Sequence, residues 1–345
     1  MSFSQKILKW YGEHKRELPW RATKDPYKIW LSEIMLQQTR VAQGTPYYHK
    51  FLEAFPTVQD LANAKEEKVL KLWQGLGYYS RARNLHATAK MVVDAYDGNF
   101  PDTYKELKNL KGVGDYTASA IASICFDLPE PVVDGNVYRV LSRYFGVDLP
   151  INSTEGIKYF KDLARKVMSS ENIRDYNQGI MEFGAIQCAP KKPYCLLCPL
   201  NDSCVALQEN KVSSLPVKLN KTKIKNRYFN YLVFLDNGKR TLIEQRKGKG
   251  IWQNLYQFPL LESEKSLDLE NFQKELEEKN YYPASNSIVL YNKEPIVHKL
   301  SHQHLYTNFW ILQSENKLEE GVSWEKIGSF PVPVLIAEFI ETFKI

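Results

Sequence analysis

No apolar run in this 345-residue chain approaches the ~18 residues that a bilayer-spanning helix needs. The opening residues, Met1-Ser2-Phe3-Ser4-Gln5-Lys6, carry neither an apolar h-region nor a small-residue cleavage site. A helical membrane protein is therefore excluded. A cytoplasmic location is the expectation, nucleoid-associated if the source is bacterial. Cysteine is scarce: there are five, Cys125 stands apart, and the rest fall between Cys188 and Cys204. That excludes a disulfide framework spread over the chain, and in a cytosolic protein a tight cysteine cluster points to metal binding. No segment repeats at a fixed period. A strong excess of one charge is missing too, since 46 basic residues stand against 40 acidic ones, a net +6. Such a balance is compatible with a polyanionic partner and does not by itself establish one.

Residues 1–210 are predicted to be mostly helical. Ile29–Gln38, Glu66–Leu72, Arg81–Tyr96 and Tyr116–Cys125 carry apolar residues at helical spacing. Residues 211–227 hold six basic and no acidic residues around Ser213-Ser214-Leu215-Pro216, the composition of a linker. It is either a solvated tether or a strand of chain laid along phosphates, with Lys221, Lys223 and Lys225 as candidate contacts. Beyond it the pattern turns to strands. Tyr228–Leu235 and Thr241–Gln245 flank Asp236-Asn237-Gly238-Lys239, a hairpin signal. His298–Leu312 is strand-like, and 266–280 is a predicted amphipathic helix. The segment 228–345 is thus expected to be α+β.

Four features carry chemistry. Cys188, Cys195, Cys198 and Cys204 give C-x6-C-x2-C-x5-C, which suits an iron–sulfur cluster or tetrahedral zinc. Only one short C-x2-C arm is present, which favours [4Fe–4S], with zinc the alternative. Second, Leu107–Ala118 reads as a helix, a Gly112-Val113-Gly114 turn and a second helix. The turn's N–H groups and the following helix start can hold a phosphate oxygen, although a plain αα-turn would look similar. Third, Glu33 sits among Ile29, Trp30, Leu31, Ile34 and Met35, and burial there would favour its protonated form. Asp134 follows Val132-Val133. One acid protonated and one ionised would suit glycosidic-bond cleavage. Singly, Glu33 could be a surface position and Asp134 a helix N-cap. Fourth, Gln37-Gln38-Thr39-Arg40 and Gly75-Leu76-Gly77-Tyr78-Tyr79 offer amides for base edges and side chains able to wedge into a base stack, or else a helix end and a packed loop.

Together these residues resemble the endonuclease III superfamily of DNA glycosylases over about residues 5–208, and within it the MutY-type adenine glycosylases. Leu18-Pro19-Trp20-Arg21, Ser32–Thr39, Gly75–Leu85, the hairpin, Val133–Val137 and the cysteines carry the likeness. It implies a multidomain protein: an all-α helix–hairpin–helix glycosylase with a [4Fe–4S] cluster, then an α+β Nudix-like domain. The catalytic region, 1–210, would comprise a six-helix lobe over about 22–130 and an iron–sulfur lobe from 1–21 plus 131–210. The basic linker would be 211–227 and the Nudix-like domain 228–345.

By that resemblance Glu33 is the general acid and Asp134 stabilises the developing sugar cation, with Tyr116 and Asn136 supporting them. Trp20 and Arg21 border the pocket, while Gln38, Leu76 and Tyr78 work around the opposite base. Gly112 and Gly114 grip phosphate. Bifunctional relatives carry a Schiff-base lysine where this chain has Tyr116, so a monofunctional enzyme is expected; Lys111 lies outside that position. Gly250–Pro259 resembles the Trp–Phe-Pro segment of the Nudix family, but the Arg-Glu-x-x-Glu-Glu core does not follow, which argues against pyrophosphohydrolase activity. The family's Phe-Ser-His loop reads Leu300-Ser301-His302 here, with Ser301 and His302 as candidate readers of 8-oxoguanine, or simply a β-turn. The expected partner is double-stranded DNA with adenine opposite 8-oxoguanine or guanine, bound by a monomer away from any membrane. The competing readings are a bifunctional glycosylase for oxidised pyrimidines, a Nudix hydrolase, and an iron–sulfur electron carrier.

Overall fold

Short polar side chains start many of the helices. Ser2 and Thr57 form reciprocal capping boxes, and Asp25, Thr103, Asp134 and Ser153 each accept hydrogen bonds from N–H groups of the first turn. The computed structural model describes residues 1–219, 224–279 and 287–344. The four helices expected from apolar spacing are present, as Pro26–Leu36, Glu66–Leu72, Ser80–Tyr96 and Asp115–Phe126. None of the described helices is long and apolar enough to cross a membrane.

The chain forms two units, Met1–Ala64 with Asn84–Asn220 and Lys65–Arg83 with Lys221–Ile345. In the first, the Tyr104–Asn109 and Asp115–Phe126 helices flank the glycine turn. Gly112 has φ +78°, and a Cβ there would also meet Asn84 Cβ at 2.8 Å, so only glycine fits. The Ile173–Ile186 helix packs on the Gly135–Phe145 helix through Gly184, where a Cβ would come within 2.7 Å of Asn136. Gln178, Met181 and Glu182 of the Ile173–Ile186 helix line the same cavity as Asp134. The linker stretch is partly anchored: Leu215 is buried, and Val217 O and Leu219 N bond to Ile151 and Asn152. Lys221 and Lys223 lie outside the described residues, and Lys225 begins a strand.

In the second unit, Lys225–Asp236 pairs antiparallel with Leu260–Ser263 and parallel with Gln303–Ser314. Gln303–Ser314 also pairs with Ser287–Leu290 and Ile296–Lys299. The register alternates the two sheet faces. Leu232, Phe234, Trp310 and Leu312 meet Phe272 of the Leu269–Glu278 helix, with Phe272 stacked 4.0 Å from Trp310. Tyr231 and Phe309 face the other way, where Phe339 of the Val334–Thr342 helix stacks on Phe309.

Two strand expectations need correction. The Asp236–Lys239 turn forms, with Asp236 Oδ1 accepting from Gly238 N and Arg240 N, each at 2.9 Å. It joins no hairpin: next to the turn the Lys225–Asp236 strand pairs with Gln303–Ser314 on one edge, and Leu260–Ser263 reaches only Tyr228–Tyr231 on the other. Arg240–Thr241 pairs instead with Val322–Ser323, and Glu244–Gln245 with Tyr256–Gln257. His298–Leu312 is not one strand but two, Ile296–Lys299 and Gln303–Ser314, turning at Leu300-Ser301-His302.

Candidate active site

A cavity of about 730 Å³ in the first unit has Glu33, Tyr116, Asp134 and Asn136 on its wall, with Trp20 and Arg21. Glu33 comes from the last turn of the Pro26–Leu36 helix, Tyr116 from the first turn after the hairpin. Burial pushes the Glu33 carboxyl up to about 7, against the Tyr116 hydroxyl, which lowers it, while the nearby Asp134 raises it. The Tyr116 hydroxyl is also 3.1 Å from Met181 Sδ. Having one proton to donate, it serves one acceptor at a time, and the carboxylate is the stronger.

Asp134 caps the Gly135–Phe145 helix. Its Oδ1 accepts from Asn136 N at 2.9 Å and Val137 N at 2.8 Å, and its Oδ2 from Asn136 Nδ2 at 2.7 Å. Burial raises its pKa, and these donors oppose that rise. With three N–H donors on Asp134 and one phenol near Glu33, a single negative charge settles on Asp134 first. The N-cap reading and the anion reading are therefore the same geometry.

The same cavity is lined by a charged group that the sequence alone does not reveal. Glu182 accepts from Arg16 Nε and Nη2, each at 2.7 Å, and from Arg21 Nη1 and Nη2 at 3.1 and 2.8 Å. Burial alone would raise this carboxyl, yet the two guanidiniums hold it at about 2. Its only sequence signal was an acid in the buried Ile173–Ile186 helix. Trp20 lies edge-on to Tyr48.

Behind this site, Cys188, Cys195, Cys198 and Cys204 line one small cavity with Arg143. Arg143 Nη1 lies 3.4 Å from Cys188 Sγ and donates to Ala189 O at 2.8 Å. Arg139 donates through Nε to Cys188 O at 2.8 Å and through Nη2 to Asn136 Oδ1 at 2.8 Å. Among the described residues, no three His, Cys, Asp or Glu side chains converge to hold a single metal ion.

A separate cavity of about 550 Å³ lies in the second unit. It gathers Leu76–Tyr79 with Trp252 and the Leu300–His302 turn. The Tyr78 and Ser301 hydroxyls are hydrogen-bonded across it. Tyr78 and His302 are exposed, whereas Leu76 is only 5% exposed, so Tyr78 is the protruding member of its loop. Gln38 is exposed at φ +56° and does not line the first cavity. Gly112 and Gly114 are exposed on the hairpin.

Residues 31–166 match the HhH-GPD superfamily of base excision DNA repair proteins, and residues 230–342 match the NUDIX domain. An adenine DNA glycosylase of Buchnera aphidicola subsp. Baizongia pistaciae is 37% identical over 320 residues, 90% of this chain and 86% of that one. One from Rattus norvegicus is 43% identical over 62% of this chain and 44% of its own. Among solved structures, a thermostable thymine-DNA glycosylase superposes with TM-score 0.56 at 32% identity, covering 60% of this chain and 95% of that chain. An endonuclease III–DNA complex gives 0.52 at 24% identity, over 60% and 94%, which speaks for the fold. Helical fold, Nudix-like second unit and near full-length likeness agree: the chain belongs to the adenine DNA glycosylases, DNA glycosylases of the HhH-GPD superfamily.

Proposed function

We propose that this protein hydrolyses the N-glycosidic bond of adenine mispaired with 8-oxoguanine or guanine in double-stranded DNA, as a monofunctional glycosylase acting as a monomer. The observation that carries this reading is the pair of carboxyls lining one cavity, Glu33 with its pKa raised by burial to about 7 and Asp134 held by three N–H donors. An adenine flipped into the cavity accepts the Glu33 carboxyl proton on a ring nitrogen. The bond to the sugar then breaks, its electron pair leaves with the base, and the Asp134 carboxylate stabilises the oxocarbenium-like carbon. Water adds at that carbon and its proton returns to Glu33. Tyr116 steadies the acid, and Asn136 steadies Asp134. The Gly112–Gly114 turn holds backbone phosphate. Trp20 and Arg21 frame the base, Arg21 fixed by Glu182. No amine occupies position 116, so imine chemistry and strand cleavage are absent.

Around the opposite base we assign Tyr78, Ser301 and His302 as reading groups, with Leu76 supporting Tyr78 from beneath and Gln38 at the stack. 8-Oxoguanine gains an N7 hydrogen and an O8 oxygen, and a hydroxyl can serve either. Residues 1–210 act as the catalytic region, its lobes at about 22–130 and at 1–21 plus 131–210. Residues 211–227 link it to the recognition domain, 228–345.

Cys188, Cys195, Cys198 and Cys204 would hold a [4Fe–4S] cluster. Four thiols around one cavity, in a C-x6-C-x2-C-x5-C spacing with one short arm, suit a cluster that takes one thiolate at each corner iron. When bound, it would cross-link residues 188–204 covalently. Arg139 and Arg143 hold the Cys188 backbone against the helix that Asp134 caps.

Excision from duplexes carrying adenine opposite 8-oxoguanine, adenine opposite guanine, thymine opposite guanine, and thymine glycol tests the whole reading. Release of adenine from the first two alone, without strand nicking, is the expected result. Action confined to either thymine substrate would overturn it.

A further inference from the structure

Residues 65–83 lie in the middle of the helical sequence yet belong to the unit formed by 221–345. The Lys71 ammonium fastens them there. It donates to Gly328 O at 2.6 Å, Phe330 O at 3.2 Å and Gln74 Oε1 at 3.1 Å. An ammonium has three donors and no acceptor, so its capacity is fully used. Gln74 Oε1 accepts in addition from Val332 N, and Tyr79 donates to Val332 O. On the flank, Tyr256 donates to Glu67 and Asn254 to Glu66, both at 2.6 Å, and Arg83 donates to Gln253 O at 2.9 Å.

The loop that follows Lys71 is stiff in itself. Trp73 Nε1 donates to Gly77 O at 3.0 Å. Arg81 Nη2 donates to Leu76 O and Gly77 O, and its guanidinium lies 5.1 Å from the Trp73 ring centre and 5.7 Å from that of Tyr78. A displacement at Lys71 is therefore carried to Tyr78 rather than absorbed between them. Lys71 itself does not line the cavity where Tyr78 meets Ser301.

We propose that Lys71 is a positioning residue for reading the base opposite the target adenine: its hydrogen bonds clasp the Trp73–Tyr79 loop onto residues 328–332 and so hold the Tyr78 hydroxyl on Ser301. This rests on the assignment of that cavity to the opposite base. Lys71 sets the distance between two groups that arrive from sequence regions more than two hundred residues apart. Without the clasp both hydroxyls remain, but their register does not.

The test uses full-length protein and compares excision from adenine:8-oxoguanine and adenine:guanine duplexes, at limiting and at excess enzyme. Lys71→Met is expected to lower the preference for 8-oxoguanine about fivefold, the low end of one base-edge contact. The rate on the guanine duplex with enzyme in excess should not change. Lys71→Arg should keep part of the preference, since a guanidinium still donates to carbonyls. Adding Ser301→Ala to Lys71→Met should cost less than Ser301→Ala alone, because both act through one contact. Equal losses on both duplexes with a lowered melting temperature, or a preference left intact in Lys71→Met, would overturn the proposal. If Lys71→Met does not fold, Lys71→Arg and Tyr256→Phe decide, and full preference in both overturns it. A wild-type protein without any preference would instead overturn the assignment of the cavity, and the clasp's role with it.

Discussion

Tyr78 and Ser301 stand 223 positions apart in sequence and share a hydrogen bond. Each belongs to a short turn, and the cavity they share is also lined by His302 and Trp252. Replacing Ser301 and His302 together by Ala should lower the preference for 8-oxoguanine over guanine by roughly 1–3 kcal/mol, the size of a lost base-edge contact. Tyr78→Phe, which keeps the ring and loses the hydroxyl, should fall at the lower end. Excision kinetics on the two duplexes at low enzyme concentration measure this. Equal losses on both would give the turn a role in general binding or folding.

Glu33→Gln should cut single-turnover excision by roughly 10²–10⁴ while DNA binding persists, because the amide has no proton of suitable acidity to give. Wild-type activity should fall as pH rises through about 7, where the acid loses its proton. The stability consequence has its own sign. A carboxyl raised in the folded state stabilises fully below its unfolded pKa, and that stability is lost as pH rises through the folded value. Glu33→Gln should therefore melt higher than wild type at pH 8, by on the order of 1–3 kcal/mol, with the gain shrinking towards pH 5. Asp134→Asn should be severely impaired yet folded, since an Asn oxygen can still cap the helix.

Much of this first site was legible because its signals are local. Glu33 inside an apolar helix, the glycine turn and Asp134 before a helix are read within a few residues of each position. Pairs such as Arg16 with Glu182 or Tyr78 with Ser301 leave no spacing signal, since the fold alone brings them together. The failed hairpin has the same cause. Asp236–Lys239 dictates a turn, but strand pairing depends on partners distant in sequence, here Val322–Ser323 for Arg240–Thr241.

Tyr116→Lys should introduce strand nicking. The side chain at 116 points towards Glu33 and Met181, inside the cavity. An amine there can attack the sugar carbon and form an imine that borohydride traps. Trapping of wild type as efficiently as the variant would contradict the monofunctional assignment.

Freshly purified protein should be brown, with a broad visible absorbance and four irons per chain by the cubane stoichiometry, about one for each thiolate. Cys198→Ala should lose the colour together with stability. A colourless protein containing zinc would replace the cluster by a single-ion site.

Glu182→Gln tests the Arg16–Arg21–Glu182 group. The Glu182 side chain is 1% exposed and holds two guanidiniums, of which Arg21 is itself 14% exposed. Neutralising the carboxylate leaves Arg21 largely buried without its counter-charge, and breaking such a pair costs about 3–5 kcal/mol. The loss should be large at pH 7 and should narrow in acid. A carboxyl depressed to about 2 contributes stability that is present above its unfolded pKa and disappears as pH falls through the folded value. Denaturant unfolding of wild type and variant at pH 7 and pH 3 measures both effects. Arg16 is more exposed, so Arg16→Gln should cost less, and what it loses should scale with salt. If Glu182→Gln unfolds like wild type at pH 7, the triad contributes nothing to the fold. Any loss of excision in that variant would then come from the cavity wall alone, because Arg21 would be free to swing away from the base it frames.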